Sequence, residues 1–215
     1  MRVRDLSQTY ANGMPHAKTI PEPHFEQVKS VERDGYSVTQ LSVATHIDAP
    51  SHLIENGQTI EEVTLDTLVG PALAVSIDKG PGEEITAEDL DSAVSGGSPG
   101  DALLIRTGWG QKFGDEDYGN HPYLSEDAAR WIVDRRFRLV GLDATTPDAP
   151  GHLRTEDFDF QVHRVLLGSG VLIVEHLHLE EVVGEKFELI IGALKVEGAD
   201  GAPARVLALL ESGEG

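Results

Sequence analysis

The sequence predicts one α/β domain over residues 1–215, a mixed β-sheet with helices packed on its outside, and three observations lead to it. Apolar runs of strand character recur at 72–77, 102–107, 139–142, 171–177, 187–196 and 204–210. Between the middle runs lie stretches of helical periodicity, at 86–94, 125–135 and 158–167, and such alternation calls for parallel strands joined by helical crossovers. The first and last parts of the chain are strand-rich without helices, which speaks against a clean doubly wound sheet.

Each element has a local warrant. Residues 3–7 make a short apolar start, and a polar, proline-punctuated loop follows over 8–23 with Met14, Pro15 and His16, His24 lying just beyond. Such loops often cover sites. Residues 25–31 and 36–45 alternate apolar with polar side chains around Asp34-Gly35, a strong hairpin turn signal. Thr59 followed by Glu61 and Glu62 reads as the cap and first turn of a short helical piece. Thr86 is the expected N-cap of 86–94, with acids in the first turn. Ser125 caps 125–135, where Ala128, Ala129, Trp131 and Ile132 form the apolar face. The spacing of Phe160, His163, Leu166 and Leu167 is helical, and Gly168-Ser169-Gly170 ends it.

Composition bounds the chemistry. Cysteine is absent, so disulfides and thiolate ligation are excluded and any metal must be held by His, Asp and Glu. No run of 18 apolar residues occurs and no hydrophobic signal region follows Met1-Arg2-Val3-Arg4-Asp5, so a soluble, cytoplasmic protein is expected. A net charge of -20 disfavours nucleic acid and anionic membrane as partners. Acidic residues outnumber basic ones 37 to 17, and arginine outnumbers lysine 11 to 6. This reads as adaptation to high salt, with an ordinary acidic cytosolic protein as the alternative.

The richest stretch is Thr45-His46-Ile47-Asp48-Ala49-Pro50-Ser51-His52. If 43–48 is extended, His46 and Asp48 project from one face, close enough to reach one cation. Pro50 stops the strand and lets His52 swing back toward them. Imidazole with carboxylate suits a Zn2+ or Mn2+ class ion. The plain alternative is a hairpin edge with two solvated histidines. A catalytic ion needs a further ligand, and two candidates are His163, on the apolar face of its helix, and Glu175, in the otherwise apolar 171–175. A buried carboxylate must be paired, protonated or metal-bound; an exposed edge position is the alternative for Glu175, and a core histidine with a backbone partner for His163. His176, next along the same strand, is expected to face the other side and is not counted.

Taken together the chain resembles the cyclase family of metal-dependent hydrolases, to which bacterial kynurenine formamidase belongs. The family motif H-x-G-T-H-x-D-x-P-x-H is matched from Thr45 to His52, and Asp5-Leu6-Ser7, Met14-Pro15, Gly57-Gln58-Thr59-Ile60, Leu68-Val69-Gly70-Pro71, Thr107-Gly108-Trp109, Ser125-Glu126-Asp127-Ala128-Ala129, Val140-Gly141-Leu142-Asp143 and Asp200-Gly201-Ala202-Pro203-Ala204-Arg205 follow in order. The resemblance implies a swivelling β/β/α fold assembled as a dimer or tetramer. It implies His46, Asp48, His163 and Glu175 as metal ligands, the two carboxylates bridging or sharing the metal site, and His52 as the proton-transferring residue. Two departures stand out. Ser42 and Ala44 occupy the places of the family's first motif histidine and its glycine, and Ser42 is a weak candidate for ligand or substrate contact. His16-Ala17-Lys18-Thr19 stands where kynurenine formamidases carry a tryptophan and a Pro-Gly pair. The resemblance supplies N-formylkynurenine as the expected substrate, giving kynurenine and formate. With Ser42 in place of a histidine, one position of the two-metal site that the resemblance implies is weakened, and either a single firmly bound ion or a second held partly by water is expected. Hydrolysis of a cyclic amide or lactone is the nearest rival, and a metal- or ligand-binding protein without turnover is the reading from another class.

Overall fold

The computed structural model describes residues 2–8 and 44–210, together with the backbone of 26–29 and 38–40. In chain order the strands are β1 (Arg2–Asp5), β2 (Glu26–Lys29), β3 (Val38–Gln40), β4 (His46–Asp48), β5 (Val69–Ser76), β6 (Glu84–Ile85), β7 (Ala102–Arg106), β8 (Tyr123–Leu124), β9 (Leu139–Leu142), β10 (Leu172–Glu175), β11 (Lys186–Ala193) and β12 (Gly201–Leu210). The helices are α1 (Leu65–Leu68), α2 (Ala87–Ala93), α3 (Glu126–Asp134) and α4 (Gln161–Gly168). β2 and β3 pair antiparallel, as the alternation on either side of Asp34-Gly35 predicts, while that turn itself lies outside the described residues. Thr86 and Ser125 cap α2 and α3, their hydroxyls accepting from Asp89 N and Ala128 N.

The main sheet runs β1-β12-β11-β5-β7-β9-β10-β4, and β4 pairs back onto β12. Seven strands therefore close into a mixed barrel. β12 is long enough for one edge to serve two partners, β4 at 201–203 and β1 at 207–210. β5, β7, β9 and β10 are parallel, and the remaining pairs are antiparallel. The parallel strands are those separated by helices, because each return to the same end of a sheet needs a crossover. The mixed sheet with helices on its outside is thus present; its closure is a feature that the sequence reading does not contain.

Side-chain alternation sorts the core into two layers. Ile47, Ala72, Ala74, Ala102, Leu104, Leu139, Leu172, Val174, Val206 and Ala208 share the interior cluster, whereas Leu73, Val75, Leu103, Ile105, Val140, Leu142 and Ile173 pack with Leu90, Ala129, Ile132, Leu166 and Leu167 of the helices. The interior is rich in alanine because a seven-stranded barrel is narrow. Gly141 shows how narrow: a Cβ there would lie 2.6 Å from both Leu104 Cδ2 and Leu177 Cδ1. Among the described residues no helix is long and apolar enough to cross a membrane.

One buried group sets an acid limit on this packing. His121 donates from Nδ1 to the Pro122 carbonyl at 2.8 Å, and burial pulls its pKa from the ordinary 6.5 down to about 4. The unfolded chain therefore takes up this proton first, so the contribution is intact above pH 6.5 and is lost as pH falls toward 4. At its fullest the loss is about 3 kcal/mol. His121→Asn keeps an N–H for the carbonyl but cannot titrate, and urea unfolding across this range should show a flatter acid limb than wild type. Parallel curves for the two proteins would refute the assignment.

Candidate metal centre

The site grows out of the β4–β10 pair. These strands run antiparallel with His46 opposite Glu175 and Asp48 opposite Ile173. Ile47 and Val174 point into the barrel, so His46, Asp48 and Glu175 share the outer, helix-covered face, and directly opposed residues have Cβ atoms about 5 Å apart. β12 approaches β4 closely on its other side. A Cβ on Gly201 would meet Ile47 O at 2.6 Å and Asp48 Oδ1 at 3.3 Å, so glycine is what lets β12 seat the ligand-bearing strand.

Helix α4 supplies the fourth group. Val162, His163, Leu166 and Leu167 are its buried residues, which puts the imidazole on the packing face above β10. Phe160, at the N-cap, adopts a left-handed φ of 49° and offers no capping side chain. Asp148 takes that role from the preceding loop: its Oδ1 accepts from Val162 N at 3.1 Å, and its Oδ2 accepts from His163 N at 3.2 Å and from His163 Nδ1 at 2.5 Å. The same buried carboxylate satisfies orphan donors of the helix and turns His163 Nε2 toward β4 and β10.

The resulting distances are informative. His46 Nε2 lies 3.5 Å from Asp48 Oδ1 and 3.4 Å from Glu175 Oε2; His163 Nε2 lies 3.8 Å from Asp48 Oδ2 and 3.4 Å from Glu175 Oε1. Charged hydrogen bonds are shorter, about 2.7–2.9 Å. Ligands about 2.1 Å from one tetrahedral ion stand about 3.4 Å from each other. The donor set fits a cation better than it fits direct ion pairs. Asp48, His163 and Glu175 are 3%, 4% and 5% exposed, so these three groups are clustered where water screens them little, while the His46 side chain is about a quarter exposed.

Their protonation reflects the crowding. Burial drags His46 down, but Asp48 and Glu175 outweigh it and leave its pKa raised. His163 is likewise lowered by burial yet ends well above its usual value through Asp148, Asp48 and Glu175. Burial pushes the Asp48 carboxyl up, and the two imidazoles overcome this and bring it down to about 2. In metal-free protein, protons take the cation's place.

His52 ends the Pro50–His52 turn after β4, as the proline predicts. Its Nδ1 lies 2.8 Å from Asp200 Oδ2, its Nε2 has no hydrogen-bond partner among the described residues, and its ring centroid is 5.8 Å from that of His163. Its side chain is 40% exposed, in contrast to the buried Asp48, His163 and Glu175.

His176 does not face the other side. The strand ends at Glu175, His176 takes φ 58°, and the turn brings its ring to 5.8 Å from that of His46. Alternation holds only while the backbone stays extended, so the expectation fails at the first residue past the strand. His176 is buried, and burial lowers its pKa to about 3, keeping the imidazole neutral. Asp148 and Asp200 lie in irregular segments with no periodic signal, and the sequence marks Asp200 only through the closing Asp200-Gly201-Ala202-Pro203-Ala204-Arg205 pattern. Ser42, His16, Lys18 and His24 lie outside the described residues.

Asp148→Asn tests the outer support of the cluster. It should lower metal affinity by about 10–100-fold, the usual cost of losing the partner that orients a ligating imidazole. Titration with Mn2+ or Zn2+ followed by calorimetry measures it, and unchanged affinity would remove Asp148 from this role.

Buried imidazole and carboxylate donors converging on one face of a closed mixed sheet, with a reachable histidine beside them, mark an α/β protein built around a metal centre. The chain belongs to the cyclase family: residues 4–149 match the family model Cyclase, described as "Putative cyclase". It is 30% identical over 163 residues to a kynurenine formamidase of Salinibacter ruber, a match covering 76% of this chain and 73% of that one. A solved structure described as a potential metal-dependent hydrolase with cyclase activity shares 31% identity at a TM-score of 0.79, covering 98% of both chains. Isatin hydrolase A from Labrenzia aggregata has the same fold, with a TM-score of 0.84 at 23% identity over 98% of this chain and 94% of that one.

Proposed function

We propose that the protein is a metal-dependent hydrolase of a small-molecule amide bond, acting on N-formylkynurenine or a near analogue. The observation that carries this is the convergence of His46 and His163 Nε2 on the carboxylates of Asp48 and Glu175, at 3.4–3.8 Å, with His52 alongside and its Nε2 without a partner among the described residues. His46, Asp48, His163 and Glu175 would hold Zn2+ or Mn2+, which when bound would supply Lewis-acid chemistry, lowering the pKa of water toward neutrality and polarising the scissile carbonyl. His52 Nε2 takes the proton of the attacking water and returns it to the leaving nitrogen, so that one water is consumed and formate and the amine leave. Asp200 accepts from His52 Nδ1 and so fixes which nitrogen does this work. The kynurenine formamidase relative supports the substrate class.

Other features belong to the same reading. They are one folded unit over the whole chain with the swivelling β/β/α description, a homodimer or homotetramer, a cytoplasmic setting, and an acidic, salt-adapted surface. Metal analysis of purified protein, followed by N-formylkynurenine hydrolysis with zinc or manganese restored, tests the reading. Stoichiometric metal with no turnover of aryl formamides, cyclic amides or lactones would leave a binding protein instead, and turnover of cyclic substrates alone would move the activity to ring opening.

A further inference from the structure

We propose that His176 is itself a metal ligand: with His46 and Glu175 it forms a second ion position beside that of Asp48, His163 and Glu175, and it stands in for the imidazole that Ser42 does not provide. The proposal rests on the metal-dependent reading and deepens it.

The two carboxylates divide their oxygens between two sides. Asp48 turns Oδ1 to His46 and Oδ2 to His163, and Glu175 turns Oε2 to His46 and Oε1 to His163. Donor atoms of His46, Glu175 and His176 lie within 4.8 Å of one another, and so do those of Asp48, His163 and Glu175. The triads overlap only in Glu175, the arrangement of a carboxylate bridging two cations.

All three histidines are prepared alike. His46 Nδ1 is tied to the Ala44 carbonyl at 2.8 Å, His163 Nδ1 to Asp148 at 2.5 Å, and His176 Nδ1 to the Tyr118 hydroxyl at 3.0 Å. In each, Nε2 is the nitrogen left for the cluster, and such outer partners are what fix the tautomer of a ligating imidazole. Packing alone accounts for the rings of Tyr118 and Phe113 around His176, at 5.7 and 6.0 Å. It does not account for the backbone. A left-handed φ is uncommon for a residue other than glycine, and here it is clamped from both ends. His176 N donates to Ala144 O at 2.9 Å, and Thr45 Oγ1 donates to His176 O at 2.8 Å. Thr45 is part of the very motif that carries His46. Had the strand continued, residue 176 would have pointed into the barrel beside Val174; the turn delivers its imidazole to the donors on the outer face instead.

The test counts ions and imidazoles on the full chain, with Co2+, Mn2+ or Zn2+ alone as probe. After dialysis, wild type should hold two ions per chain, and the Co2+ form should show three exchangeable, paramagnetically shifted imidazole N–H resonances. His176→Asn, chosen because asparagine tolerates positive φ, should bind one ion normally and the second at least about 10-fold more weakly, with one resonance gone. His163→Asn should lose a different resonance. Tyr118→Phe leaves His176 in place but unties its Nδ1; weakening of the same ion by about 10-fold supports the proposal even if His176→Asn does not fold. Wild-type uptake in both variants, or no more than one ion in wild type, overturns it. No metal in wild type at all would sink the metal-dependent reading as well. Two ions that respond to His176→Asn, without any hydrolysis, would sink only the enzyme reading.

Discussion

Replacing His52 with alanine is expected to leave metal uptake unchanged and to lower kcat by about 10²–10⁴, the range for loss of a positioned acid–base group. The expectation follows from where the imidazole sits. It lies past the turn at Pro50, its Nδ1 is committed to Asp200, and it is beside His163 rather than among the donors that face the carboxylates. A ligand would lose metal on truncation, whereas a proton carrier loses turnover at full occupancy. Metal content and single-turnover kinetics on the same preparation separate the two. A His52→Ala protein with wild-type kcat would take this residue out of the reaction.

Glu175→Gln should do the reverse, emptying the centre before it touches any later step. Both oxygens of Glu175 are in use, one toward each imidazole. An amide nitrogen cannot replace either, and the substitution also removes a negative charge from a buried cluster. The fall in affinity should exceed the 10–100-fold typical of losing an outer partner, since a direct donor is lost. A second readout comes from the metal-free protein. The raised pKa values of His46 and His163 depend partly on Glu175, so both should drop in the variant when followed by NMR. The sign has a practical corollary. Protons occupy these imidazoles to a higher pH than in free histidine, so metal uptake releases protons and weakens as pH falls. Unchanged metal affinity in Glu175→Gln would mean that its carboxylate is not a ligand.

Much of this was readable from residues alone, for identifiable reasons. Thr86 and Ser125 announced their helices because capping is local. The single acid ending an apolar run at Glu175 pointed to a buried charge with partners, and it is 5% exposed. What escaped was tertiary. β4 is three residues long and pairs on both edges, so nothing in its periodicity reveals that it closes a barrel. Asp148 is one acid among 37 and acquires its meaning only from a helix that starts 13 residues later. His176 was misread because the period-two rule was carried one residue beyond the strand that obeys it.

The brevity of β4 has a mechanical outcome. The wall of the cylinder is fastened at this seam by three residues on either flank, and the same three carry two of the groups that would grip a cation. A bound ion then acts as a rivet joining the seam to α4 and β10, adding about 4 kcal/mol when free metal exceeds its dissociation constant a thousandfold. Chelator-treated protein should therefore be nicked by protease near residues 44–58 sooner than loaded protein, and identical digestion patterns would show that the seam holds unaided.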